Sequence, residues 1–117
     1  MRPHYQLIVW QESMKLVRLV YQVTREFPRE EIYGLTNQLR RAAVSIPSNI
    51  AEGAARVGNR EFIQFLNIAQ GSLSEVETQL LIAKDLGYLK EGTELFDLCS
   101  RIASLLGGLM NHRRKNS

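Results

Sequence analysis

Leu35-Thr36-Asn37-Gln38-Leu39-Arg40-Arg41-Ala42-Ala43-Val44-Ser45-Ile46-Pro47-Ser48-Asn49-Ile50-Ala51-Glu52 decides how many helices this chain forms. Leu35, Leu39, Ala42, Ile46 and Ile50 recur at the spacing that lines one face of an α-helix. Pro47 interrupts the stretch chemically. It has no N–H, so the Ala43 carbonyl loses its helical partner, at a cost of ~3 kcal/mol if nothing compensates. The apolar spacing nevertheless passes through Pro47 in phase. The pattern therefore predicts one helix over about 35–57, kinked at Pro47, rather than two separate helices.

Working outward, the preceding segment reads as a helix over about 10–27. Trp10, Met14, Val17, Tyr21 and Thr24 fall on one side, and Leu16, Val20, Val23 and Phe27 extend it. Pro28 blocks continuation, and Gly34 and Thr36 are start signals for the next helix. Gly58 and Asn59 read as a helix end followed by a cap. A third helix then spans about 60–86, with Phe62, Phe65, Leu66, Ala69, Leu73, Val76, Leu80 and Ala83 as its core face. Gly87 ends it, and Gly92-Thr93 opens a fourth over about 93–112, Thr93 serving as cap. There Leu95, Leu98, Ile102, Leu105 and Leu109 form the narrow seam of a bundle, widened by Leu106 and Met110. Residues 113–117 read as a basic, frayed tail. No strand-like alternation and no internal repeat occur. Short connections make neighbours antiparallel, so the expectation is a single all-α domain over 1–117, an up-down-up-down four-helix bundle.

The third helix carries more apolar surface than one core needs. Ile68, Ile82 and Leu86 lie away from the core face, beside Gln64, Gly71, Glu75 and Gln79. A glycine inside a helix costs ~1 kcal/mol against alanine. Gly71 on a face that also carries isoleucines predicts close approach of another helix, and hence a homo-oligomer.

A chain of 117 residues forms one domain without staples. The lone Cys99 excludes an internal disulfide and a thiolate metal cluster, in keeping with a reducing cytoplasm. Leu7-Ile8-Val9-Trp10 is too short for a signal peptide's apolar region, and nothing approaches the ~20 apolar residues of a membrane helix. A soluble cytoplasmic protein with no membrane partner is expected. The net charge of +3 is unevenly placed: residues 1–60 hold nine basic and five acidic side chains, residues 61–112 three and seven. Eleven of the fifteen cations are Arg, which suits planar contacts to carboxylate or phosphate.

Catalytic chemistry is hard to find. His4 and His112 sit near the two ends, and neither follows a Glu at the spacing of a bundle's di-iron site. There is no zinc-protease or phosphate-loop motif. Cys99 lies beside the fourth helix's apolar seam without a neighbouring His and reads as a small buried side chain. Glu75 and Glu77 project from different faces. No cofactor, no metal and no enzymatic role are expected.

Phe27-Pro28, Glu31-Ile32-Tyr33-Gly34-Leu35-Thr36 and the run from Gln38 to Gly53 resemble the family of 23S rRNA intervening-sequence proteins. Glu61-Phe62, Phe65-Leu66, Ile68-Ala69, Gly71-Ser72-Leu73 and Glu75 continue the match. The resemblance covers nearly the whole chain and weakens in the last helix. It implies a bacterial four-helix bundle that assembles as a homopentameric ring. Relatives that serve diversity-generating retroelements partner a reverse transcriptase and bind nucleic acid, so the resemblance also implies RNA or DNA and such an enzyme as partners.

One polar stripe needs its own account. Arg41, Ser45, Ser48, Glu52 and Arg56 share a face of the second helix, with Asn49 at its border. In the structural reading the stripe packs on a neighbouring helix, Glu52 pairs with Arg56, and the Ser and Asn groups meet backbone freed by Pro47. In the functional reading Arg40, Arg41, Arg56 and Arg60 gather around a phosphate backbone. Arg40 and Arg41 project about 100° apart, so they cannot share one narrow site. Glu52 among the arginines favours the structural reading. Trp10 reads as a packing residue, and Tyr33 is left open between packing and base stacking. The leading functional expectation is a non-catalytic oligomer that binds RNA, DNA or a nucleic-acid enzyme. The alternative is a protein-interaction scaffold without nucleic acid.

Overall fold

The structure is a computed structural model that describes residues 2–90 and 94–116. Its α-helices are α1 (Ile8–Thr24), α2 (Leu35–Ala54), α3 (Asn59–Asp85) and α4 (Glu94–Lys115). Short 3-10 turns at Pro3–Gln6 and Arg29–Glu31 precede α1 and α2. The expected opening of the fourth helix at Gly92-Thr93 lies outside the described residues. Pro47 sits buried inside α2, which runs unbroken from Leu35 to Ala54.

Each helix packs on two others, α1 on α2 and α4, and α3 on α2 and α4. Contacts between neighbours run in opposite directions. Ser45 of α2 meets Ser72 of α3 while Gly53 meets Phe62 and Phe65. Gln70 of α3 meets Ala103 of α4 while Asn59 meets Arg113. α2, α3 and α4 therefore alternate in direction, as in an up-down bundle. The 46 × 22 × 22 Å envelope matches the length of α3, at ~1.5 Å per residue, laid along the long axis.

A single core runs the length of the bundle, with Leu16, Leu39, Ile46, Ile50, Leu66, Leu73, Leu80, Ile102 and Leu106 fully buried. Two faces differ from expectation. In α1 the buried line is Val9, Ser13, Leu16, Val20 and Thr24, not the Trp10–Tyr21 line. Its two hydroxyls make this possible: Ser13 donates to the Val9 carbonyl and Thr24 to the Val20 carbonyl, each at 2.7 Å, so neither enters the core unsatisfied. In α4, Cys99, Leu106 and Met110 are buried, while Leu105 and Leu109 are half-buried. Trp10 is half-buried among ring neighbours His4 and Tyr5, at centroid distances of 5.1 and 5.4 Å.

The tail also departs from the prediction. Arg113, Arg114 and Lys115 are helical. Arg113 lies 4.9 Å from the Phe62 ring and donates to Asn59 Oδ1 at 3.1 Å, and Asn59 Nδ2 donates to the Asn116 carbonyl at 3.2 Å. The last turn of α4 is thus held by the first turn of α3. Asn59 is the first residue of α3 rather than its cap, which is Gly58.

At the other end, Glu31 joins the two connections. One carboxylate oxygen accepts the Leu35 N–H at 3.2 Å, capping α2. The other accepts the Tyr88 hydroxyl at 3.0 Å, and the carboxylate beside it raises the Tyr88 phenol above its ordinary value. Gly87, at φ +79°, makes the left-handed turn that brings Tyr88 there and against Phe27. Glu31→Ala removes a cap and a charge-assisted hydrogen bond together. It should lower stability by about 1–2 kcal/mol in a urea titration, and Tyr88→Phe by less.

Candidate assembly face and basic surface

The polar stripe of α2 faces partly inward. Ser45 Oγ lies 2.9 Å from Ser72 Oγ on α3, and Asn49 Nδ2 donates to the Ser45 carbonyl at 2.8 Å and to its hydroxyl at 3.0 Å. Ser48 donates to the Val44 carbonyl at 2.8 Å. The hydroxyl and amide groups therefore serve the two carbonyls after Ala43, not the Ala43 carbonyl itself. Glu52 and Arg56 pair at 3.2 Å, in the open, and the Arg56 guanidinium lies 5.0 Å from the Phe65 ring.

The four arginines do not form one site. Arg40 turns to α1, donating from Nε to Thr24 Oγ1 at 2.8 Å with its guanidinium 4.6 Å from the Tyr21 ring. Arg41 is exposed and lines a shallow depression with Asn37, Gln38, Ser45 and Glu75. Arg56 and Arg60 lie at the far end of the bundle, ~20 Å along the axis from Arg41 at a helical rise of ~1.5 Å. Arg60 is exposed on the first turn of α3.

Beside the stripe, α3 presents Ile68 and Ile82, and its C-cap presents Leu86, at 51%, 44% and 55% exposure. These residues, with Gly71, lie along one side of α3, over ~27 Å of helix. A Cβ built on Gly71 meets nothing within 4 Å. The close approach that its sequence position predicts is absent inside the chain. On the opposite side of the bundle, Gln6–Val9 and Ser104, Leu105, Gly108 and Leu109 line a second, largely apolar groove, where Ile8 is exposed and Gly108 is equally open.

A family model described as 23S rRNA-intervening sequence protein matches residues 5–108. The chain belongs to that family. The match spans α1–α3 and most of α4, so the family is defined by the bundle rather than by one segment. A search of the curated proteins returns no match.

In this family member, Cys99 is fully buried, and burial pushes its thiol up to about 12, with Glu77 adding in the same direction. A thiol held protonated and shielded is a poor nucleophile. Folded protein at pH 8 should leave a thiol-reactive dye unreacted over a period that labels the urea-unfolded chain completely. Fast labelling without denaturant would contradict its placement. Glu12 is held below the usual carboxylate range by Arg101, then by Lys15, and ties α1 to α4. Among the described residues no group of three His, Cys, Asp or Glu side chains is placed to hold a metal, and no helix is long and apolar enough to cross a membrane. Tyr33, at 92% exposure, packs on nothing within the chain's interior.

Proposed function

We infer that this protein is a non-catalytic subunit that assembles with copies of itself and binds nucleic acid through the basic surface of the assembly. The observation that carries the assembly is the α3 side bearing Ile68, Gly71, Ile82 and Leu86, which has no partner within the chain. Burying the exposed halves of three such side chains is worth about 1 kcal/mol each. That is too little alone against the entropy of association, at least ~4 kcal/mol. A second contact surface therefore matters. The groove beside Ile8 and Gly108 lies across the bundle from the α3 side. A contact between different surfaces repeats head to tail, and closes into a ring when the rotation from one subunit to the next allows it; a ring of five copies is what the family resemblance implies.

Nucleic-acid binding rests on charge and multiplicity. Five subunits at +3 each carry +15, and weak phosphate contacts repeated around a ring add. The expected interaction is salt-sensitive and tolerant of sequence, with RNA or DNA held alone or together with a reverse transcriptase. The competing reading, a protein-interaction scaffold, draws on Arg40 and Arg56, whose guanidinium groups are engaged within the chain. An anisotropy titration at low salt separates the two. Binding that weakens steeply with added salt is expected, and no binding would leave the scaffold.

A further inference from the structure

The bundle is electrically polar along its axis. One pole gathers the C-terminal ends of α2 and α4, the first turn of α3 and the segment before α1. It holds six basic side chains, Arg2, Arg56, Arg60, Arg113, Arg114 and Lys115, against two acidic ones, Glu52 and Glu61, a net of +4. The opposite pole, around both remaining connections, holds six acidic and four basic side chains among the described residues. The sequence hides this polarity because the six cations come from four separate segments. Asn59 and Arg113 bring the last two segments together, and Pro3, Arg56, Asn59 and Arg113 share the rim of one cavity of about 100 Å³.

Helix dipoles account for part of the charge. Cations suit the negative end of α4. They do not account for Arg60, which sits at the positive end of α3, where its own helix disfavours it, and which has no ion pair among the described residues. Arg113 is a brace, stacked on Phe62, Arg56 is paired with Glu52 and Arg114 donates to Asn111, so the exposed Arg2, Arg60 and Lys115 are the cations that act outward, Arg60 and Lys115 from the ends of helices. Crowding of like charge destabilises the folded chain unless something outside it supplies anions.

We propose that this pole, and not the Arg40–Arg41 side of α2, is the phosphate-contacting surface, and that it meets the phosphodiester backbone of a single-stranded RNA end-on. The assignment rests on the nucleic-acid reading above and gives it a place. In a ring of bundles with parallel axes, every such pole faces the same side. The ring then offers a flat basic rim on which a strand can track from subunit to subunit. The guanidinium groups suit phosphate oxygens, and contact to backbone alone explains tolerance of sequence.

Anisotropy of a labelled RNA of ~20 nucleotides, titrated across salt, tests it. The proteins are the wild type, Arg60→Gln/Lys115→Gln at the basic pole and Arg29→Gln/Lys90→Gln at the other, with Arg60→Gln alone as a milder form. All four positions are exposed, and circular dichroism should be unchanged. The basic-pole variant should bind about tenfold or more weakly, with the salt slope shallower by ~1.4, at ~0.7 per lost phosphate contact. The opposite-pole variant should stay within about twofold of wild type despite the same loss of charge. Equal losses in both would mean diffuse attraction and overturn the assignment while nucleic-acid binding stood. Absence of binding by the wild type would remove the reading beneath it. Unchanged RNA binding with a fall in sedimenting mass would give the basic pole to the acidic pole of another copy, and would also overturn the assignment.

Discussion

Replacing Gly53 with alanine should destabilise the fold by about 3 kcal/mol, although alanine is the better helix former. A Cβ at this position would fall 2.7 Å from Phe65 Cβ, 2.9 Å from Phe62 Cδ1 and 3.3 Å from the Phe62 carbonyl oxygen. None of these is the free end of a flexible chain, so α2 and α3 must separate or the last turn of α2 must shift. Phe62 also supports the Arg113 guanidinium, so the shift carries to the end of α4. The gain of ~1 kcal/mol in helix propensity offsets only part of the loss. A urea titration reads the result as a lower midpoint. Gly71→Ala is the matched control, with the same gain in propensity and open space around the new methyl. It should leave an isolated bundle as stable or slightly more so.

Ile68→Arg with Ile82→Arg should dissociate the assembly and leave the bundle folded. Both side chains are about half exposed in the single chain, so arginine there can reach water and costs the fold little, within about 0.5 kcal/mol each. Against another subunit the same two charges would be buried without partners. Breaking an interface in this way costs about 4 kcal/mol or more, roughly a thousandfold in affinity, at every contact. Light scattering should then report a single chain with unchanged helix content. Tyr33→Arg, at the acidic pole, introduces the same charge on an exposed apolar residue away from the α3 side and should leave the mass unaltered.

Most of the bundle is legible in the residues because its helices announce themselves through spacing and stops. The in-phase pattern through Pro47 reads as one helix, and α2 runs unbroken there. Leu39, Ile46 and Ile50, with Leu66, Leu73 and Leu80, lie where their periodicity puts them. The α1 face is less legible, because Ser13 and Thr24 look polar in sequence and become acceptable in a core only through bonds to carbonyls one turn back. The C-terminal turn reads as a frayed tail because its partners, Asn59 and Phe62, lie more than 50 residues away. For the same reason the candidate basic site is largely illegible. Arg40 and Arg41 are adjacent in sequence, yet Arg40 is drawn to Thr24 on α1. Arg60 and Lys115 are distant in sequence and share one pole only once α3 and α4 run antiparallel. A hint is present in the run Arg113-Arg114-Lys115, since three cations closing an amphipathic helix call for a destination.

The central claim is that the unfilled side of α3 belongs against another copy of the chain. Multi-angle light scattering of the wild-type protein, at micromolar concentration and physiological salt, tests it most directly. A mass of several 13.4 kDa chains that persists on dilution is the predicted result. A mass of 13.4 kDa at every concentration would contradict it, and would mean that Ile68, Ile82 and Leu86 face water in the working protein.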